Sequence, residues 1–570
     1  MTMYSFFVAL ITFFFPHPNP KAQKIIIPDP VFEQKLIDKG FDSDGIINGE
    51  MLQSDALAIT TLDLSNGFSD PYRFKIQNLT GIEAFTNLTT LNLNYNKLKA
   101  LNISNNSKLE VLRCQHNLIK DLDLSQNVSL RIVDCSFNQL EHMDLSIHTA
   151  LQSVNCNNNH LQTLIIPNES QLSSLKCANN ELNTLDISKC PHLKELIVFN
   201  NQLTVLELNN NLLLENIECF SNQLSTLNLS QAAPLYALNC ASNDLKELDV
   251  SQNIQLEHLD CCRNHLSNLR LGANTKLKDI ACNGNQIASL NLRQLTDLEI
   301  LACQNNAIKV LNTTNNAMLI NLNCYKNQIT TLELEANKML EYLQAEHNEI
   351  THINIAQNTK IKQLSISHNR LVELILGNNP ELNTINCTHN YLLEIETKNN
   401  TKLTALNCQY NYIKQLNTNS AENLEVLSCA NNKLIQLDLT QNPKLTKLTC
   451  SKNNLKKLDI SSNIKLEKVY CDSNSIGSLN LQRNSQLWTL VCTANNLKKL
   501  DLSNNGQLRV LRCAMNQLKE LDLHHLRKIS DLHTQENRSL KSICIPKHIQ
   551  LRYVPYLWKK PTASIYEHCH

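Results

Sequence analysis

Glycine and proline are scarce in this chain, at 10 and 14 of 570 residues. That excludes long flexible linkers and low-complexity segments. Charge of one sign is also missing. Lys+Arg and Asp+Glu both number 52, and the pI is about 7.2. The chain therefore lacks the basic footprint of a nucleic-acid binder, and no run of like charge forms a tail. Long apolar runs are absent except for Ser5–Phe15 (SFFVALITFFF), which is too short to span a bilayer. It reads as the h-region of a signal peptide over residues 1–23, cleaved near Ala22–Gln23, although no Lys or Arg precedes it. The expectation is a secreted protein (extracellular, cell-surface or periplasmic) with no membrane span after cleavage. No Cys follows the h-region to carry a lipid. The signatures GxSxG, HExxH and the Walker loop are missing as well, and no paired-carboxylate site is evident. Neither an enzyme nor a cofactor is expected.

What is present is a repeat. Asn recurs from Asn96 to Asn537 at 22 positions with a strict 21-residue period, through Asn117, Asn138, Asn159 and Asn180. An aliphatic residue stands five places before each, as at Leu91, Leu112 and Val133. Another stands five places after all but the last, where Ser542 ends the pattern. The consensus is LxxLxCxxNxLxxLDLSxNxx, as in Leu445–Asn463 (LTKLTCSKNNLKKLDISSN). Its two halves, LxxLxCxxN and LxxLDLSxN, resemble each other. Alternation in L-x-C and L-x-L places every second side chain on one face, the period of a strand. Each turn should give two short parallel strands, and turns must stack because one cannot bury its own apolar face. A chain that bends every ten residues strands buried N–H and C=O groups. A carboxamide both donates and accepts, so the Asn column can satisfy them.

This pattern resembles the leucine-rich repeat, and the nested 10-plus-11 period resembles the bacterial IRREKO class. The resemblance covers about residues 60–545. It implies a right-handed solenoid of about 22 coils over 88–537, capped at both ends. The segment 28–50 (PDPVFEQKLIDKGFDSDGIINGE) resembles the opening of secreted leucine-rich-repeat proteins of Bacteroidetes-type bacteria. Residues 24–87 are read as a helical cap with an irregular first coil, and 538–570 as a C-terminal cap. Related proteins carry a further C-terminal sorting domain, for which there is no room after His570, so the periplasm stays open beside the cell surface.

Seventeen of the 21 Cys stand three residues before the column Asn, among them Cys114, Cys135, Cys156 and Cys177. Leu93, Val198, Ala345, Ile366 and Thr534 fill the same place in other turns. What these share is modest apolar bulk, so the thiols are expected to be free, buried core atoms. No Cys or Cys/His spacing suggests a metal. Cys544 and Cys569 flank the tail and are the disulfide candidates. Asp42–Gly45 (DSDG) invites a calcium-loop reading, but two ligand positions fall on Gly40 and Met51; the other reading is a turn with Asx hydrogen bonds. Aspartates of the LDLS step, such as Asp123 and Asp459, with lysines such as Lys456 and Lys499, suggest ion pairs on one outer face.

Function is read from the positions flanking the buried Cys, which are mostly Asn, Ser, Thr, Ala or Gln. Two aromatic patches depart from that. One is Ile197, Phe199 and Phe220; the other is Tyr325, Tyr342, His347, His368, His389 and Tyr410. Exposed aromatics serve as interface anchors and sugar platforms. The chain is thus read as a non-catalytic recognition scaffold for a protein, peptide or glycan. The alternative is a structural or adhesive surface protein with weak binding spread along it. The sequence does not give the oligomeric state.

Overall fold

Stacking follows from the burial pattern. In most strand triplets the middle residue is buried and its neighbours are half-buried or exposed, as at Val111–Arg113 and Lys447–Thr449. The computed structural model describes residues 23–71 and 74–545, with the backbone of 564–566. The expected signal peptide and most of the C-terminal cap, including Trp558 and Cys569, lie outside the described residues. The chain divides into two compact units, Met1–Leu214 and Glu215–His570. Each is a parallel β-solenoid whose repeat strands pair in register 21 places apart, for example Leu112 with Val133 and Leu406 with Leu427.

The first unit opens with a cap. Strand β1 (Lys24–Ile26) pairs antiparallel with β2 (Glu50–Leu52), and helices α1 (Pro30–Asp38) and α2 (Gln53–Ala58) flank it. Asp29 caps α1 by accepting from the N–H groups of Val31 (2.9 Å) and Phe32 (3.2 Å). Its other oxygen accepts from Gln77 and Asn78 N–H, which ties the helix to the first coil. Pro30 suits the first helical position because that N–H has no partner there. Phe32 and Leu36 are fully buried.

At DSDG, Asp44 accepts from Ile46 N–H (2.9 Å) and the Asn48 amide (2.8 Å), closing a local turn. Asp42 is 4% exposed, and beyond a weak approach to Asp44 no well-formed hydrogen bond reaches its carboxylate. Burial raises its pKa, and nearby Asp44 adds to this. A carboxyl whose pKa is raised by folding favours the fold at low pH, and that contribution is lost as pH rises through the folded value. At neutral pH Asp42 is therefore a cost. Asp42→Asn should stabilise the cap by about 1 kcal/mol at pH 7. Hydrogen exchange of α1 and β2 reads this directly; unchanged or faster exchange in the variant would contradict it.

In both units the Asn column bonds as its chemistry requires. Asn117 donates to the carbonyls of Leu93 and Cys114 (3.0 Å each), and its Oδ1 accepts from Leu98 N–H (3.0 Å). A second column lies ten residues on, fully buried at Asn106, Asn127, Asn442 and Asn463. Its amides donate to two carbonyls each, as from Asn127 to Ile103 and Asn106. Its oxygens are mostly without donors; among those with one, Asn337 and Asn442 accept from the hydroxyls of Thr313 and Thr418 (2.8 Å each), and Asn274 and Asn400 accept from the N–H groups of Gly272 (2.8 Å) and Asn379 (3.1 Å).

The halves of a turn differ. The Cys-bearing half forms a strand in turn after turn. The other half forms strand pairs only at His142–Asp144 with Thr163–Ile165 in the first unit, and in the second at Glu247–Asp249, His352–Asn354, Glu394–Glu396 and Glu520–Asp522 with their successors. The expectation of two strands in every turn holds only for these. The expected Asp–Lys pairs are also corrected. Asp123 and Asp459 spend an oxygen on the N–H two residues on, at Ser125 (2.9 Å) and Ser461 (3.0 Å). Those bonds hold the carboxyls below the usual range. Contiguous backbone N–H groups outcompete flexible, solvated lysines.

Candidate functional site

The residue just before each column Asn is forced into the left-handed region. In all 22 coils, from Tyr95 (φ 60°) to Glu536 (φ 61°), φ is positive there, and only one of these residues, Gly284, is glycine. Each costs about 1 kcal/mol of strain, which the surrounding Asn bonds hold in place. The column contains no Val, Ile or Thr and is rich in Asn and His, the residue types that tolerate this conformation. Backbone therefore restricts what stands here, and the register aligns whatever does.

In the second unit that alignment makes a stack. His347 and His368 rings lie 4.3 Å apart at 9°, His368 and His389 4.1 Å at 11°, and His389 and Tyr410 4.2 Å at 16°. The column backbone is held in step by His347 N–H to Ser367 O (3.0 Å) and its equivalents. Tyr325 meets His347 edge to face at 5.3 Å and 86°. Tyr342 stands apart at the other end of its strand, with Lys362 Nζ 5.9 Å from its ring centre. Of the six residues expected in this patch, five come together. Phe199 belongs to the first unit and Phe220 to the second, and each is half-buried.

Burial and the neighbouring His389 and His347 push the His368 imidazole below its ordinary pKa of 6.5. His368 resists charging because an imidazolium there would sit about 4 Å from a second ring on either side. The stack residues His347, His368 and Tyr410 are exposed on the surface. A cleft of about 820 Å3 on this unit lies on the other half of the turns, between Val372 and Asn399. Face-to-face stacking also hides the ring faces between neighbours and leaves edges outward.

Two aromatic groups escaped the sequence reading. Tyr391 and Tyr412, two residues beyond His389 and Tyr410, stack at 6.0 Å and 12° and are 50% and 47% exposed. In the first unit, Tyr95, His116 and Phe137 occupy the left-handed column and stack at 4.4 and 4.1 Å, with Phe68 edge-on to Tyr95 at 6.1 Å. The signal was available: all three precede column Asn residues in successive turns. Among the described residues, one group of donors sits close enough for a metal, Asp522, His524 and Cys544. Cys544 is disulfide-bonded, so its sulfur is no thiolate ligand; its expected partner Cys569 lies outside the described residues.

No protein-family model matches the chain. No curated protein sequence matches it. Solved structures do. The functional domain of InlJ from Listeria monocytogenes, which includes a cysteine ladder, is 23% identical over 88% of this chain and 83% of its own, with a TM-score of 0.35. YopM from Yersinia enterocolitica WA-314 is 21% identical over 86% of this chain and 91% of its own, at 0.54. The plant peptide hormone receptor RGFR1, in complex with RGF2, is 18% identical over 87% and 90%, at 0.63. The chain has the leucine-rich-repeat solenoid fold.

Proposed function

We propose that this protein is a secreted, non-catalytic recognition scaffold that binds an extended peptide or protein segment along the strand face of its second unit, centred on Tyr325, His347, His368, His389 and Tyr410. The observation that carries the reading is the ring stack itself, held in register by a strained backbone column and exposed on a surface without a cleft. An open face with a repeat of about 4 Å suits an extended chain, not a small molecule. Edge-outward rings favour a polypeptide over a glycan, because sugars stack on ring faces. A plant receptor of this fold is solved with a peptide hormone, which adds support. Secretion rests on the apolar run Ser5–Phe15.

The test is selection of a random peptide library displayed on phage against the intact protein. Selected peptides should bind at least tenfold more weakly to a Tyr325→Ala/Tyr410→Ala double variant whose thermal midpoint is nearly unchanged. Tyr342→Ala should bind like the parent. Peptides indifferent to the double variant would move the site and favour the adhesive alternative. Binding should also weaken as pH falls. The central ring, His368, is neutral above about pH 6.5, and this is lost as pH falls through its lowered pKa. The aspartates of the LDLS step titrate lower still, so binding at pH 5.5 reads the stack and not unfolding. Affinity flat from pH 7.5 to 5.5 would take the His stack out of the interface.

A further inference from the structure

Beside the stack runs a second column, one residue past the buried thiol in each turn. In three successive turns it carries Gln304, Tyr325 and Glu346, all half-buried. Gln304 Oε1 and Glu346 Oε2 are buried with no hydrogen-bond partner. On the strand face they are the only side-chain oxygens so placed among the described residues. The other Glu346 oxygen accepts from Ser365 Oγ, which fixes the carboxylate. The charged groups around it are spoken for or turned outward. Lys362 pairs with Glu341 (2.6 Å) and Arg370 with Glu349 (3.3 Å), while Lys326 is exposed and makes no ion pair.

We propose that Glu346 and Tyr325 form a subsite for a basic side chain, arginine above all, of the bound peptide. The inference rests on the peptide-binding reading above and adds the chemistry of what is bound. A buried acceptor without a donor is destabilising, and a carboxylate more so than an amide. Its missing partner is therefore a donor, best a cation. Tyr325 holds the same column position one turn earlier, about 5 Å away at the spacing of strands, and an aromatic ring attracts cations through its quadrupole. A guanidinium meets both: its planar fork donates to a carboxylate oxygen and lies on a ring, where an ammonium is a point charge. Gln304 stands two turns from Glu346, about 10 Å at the spacing of strands. That is too far for the same guanidinium, so its free oxygen receives a backbone N–H of the same peptide on the other side of Tyr325.

The probe is Nα-acetyl-arginine methylamide, titrated against the intact protein by saturation-transfer NMR. Its citrulline analogue, neutral and nearly the same shape, is the control. The arginine probe should bind at least fivefold more tightly than the citrulline one. Glu346→Gln, which keeps the shape and an acceptor for Ser365, should erase that preference with unchanged circular dichroism. Equal binding of the two probes, or a preference that survives Glu346→Gln, overturns the proposal. Repeating the phage selection on Glu346→Gln separates this inference from the one beneath it. Enrichment of basic residues that vanishes in the variant supports the subsite. Enrichment without basic residues overturns the subsite and leaves peptide binding standing. No enrichment on the parent sinks peptide binding, and the arginine titration still decides the subsite.

Discussion

Replacing Asn411 by Asp, a change of one atom, is expected to destabilise the second unit by about 3–5 kcal/mol, the cost of leaving buried polar groups unpaired. Asn411 is 5% exposed. Its amide nitrogen donates to the carbonyls of Cys387 (3.0 Å), Cys408 (3.1 Å) and Gln409 (3.2 Å), and its oxygen accepts from Leu392 N–H (3.1 Å). A carboxylate keeps the accepted bond, loses all three donated ones, and turns a second oxygen toward three carbonyls. It should stay protonated to an unusually high pH, so the penalty should shrink as pH falls. Because a solenoid is stabilised mainly between neighbouring turns, the damage should be local. Hydrogen exchange should accelerate in turns on either side of residue 411 while distant turns keep their protection. Urea unfolding followed by exchange and mass spectrometry measures both the size and the spread. A loss under about 1 kcal/mol would mean that water or backbone adjustment satisfies these groups, and the Asn column would lose its structural role.

The column was legible because it is a repeat. One Asn in one turn is uninformative, whereas 22 in register expose a geometric requirement of the backbone. The same reasoning located His347, His368, His389 and Tyr410 in a shared position, and rings within 4.3 Å of one another follow from register alone. Tyr342 belongs to the same patch by sequence because it flanks the buried core position, three residues before Ala345, but that flank lies at the far end of the strand from the stacked rings. Tyr95, His116 and Phe137 were overlooked although they obey the same rule, since a mixed run of residue types is less conspicuous than three histidines. The orphaned oxygens of Gln304 and Glu346 could not be read at all. Whether a polar atom finds a partner depends on side-chain rotamers, on which a repeat pattern is silent.

The cysteines give the other large effect, a suppression of thiol reactivity by about a thousandfold. Among the described residues nineteen Cys are free, and all but Cys262 are buried. Burial pushes the thiols of Cys177, Cys219, Cys324 and Cys387 up to about 12. The thiolate is the reactive species. Relative to an ordinary thiol near 8.5, a pKa of 12 cuts its population at pH 8 by roughly three orders of magnitude. Occlusion adds to that, because reagent can reach a buried sulfur only when a turn opens. Cys262 is half-buried, and both burial and the adjacent Asp260 raise its pKa to about 12, so even it should react slowly. Mixing the protein with an aromatic disulfide reagent at pH 8 without reductant should therefore titrate at most one thiol over minutes. Adding guanidinium should release about 19 at once, leaving two of the 21 in the disulfide form. Mass mapping should place the early label on Cys262. If many thiols react before denaturation, the solenoid opens far more readily than its packing implies. If far fewer than 19 appear after it, sulfurs of adjacent turns have paired, and the column is held by bonds and not by packing. Parallel Cβ vectors on neighbouring strands oppose that pairing by keeping the β-carbons farther apart than the roughly 3.8 Å a disulfide prefers. The modest apolar residues that replace Cys in other turns, Val198, Ala345 and Ile366, are fully buried without any sulfur to bond.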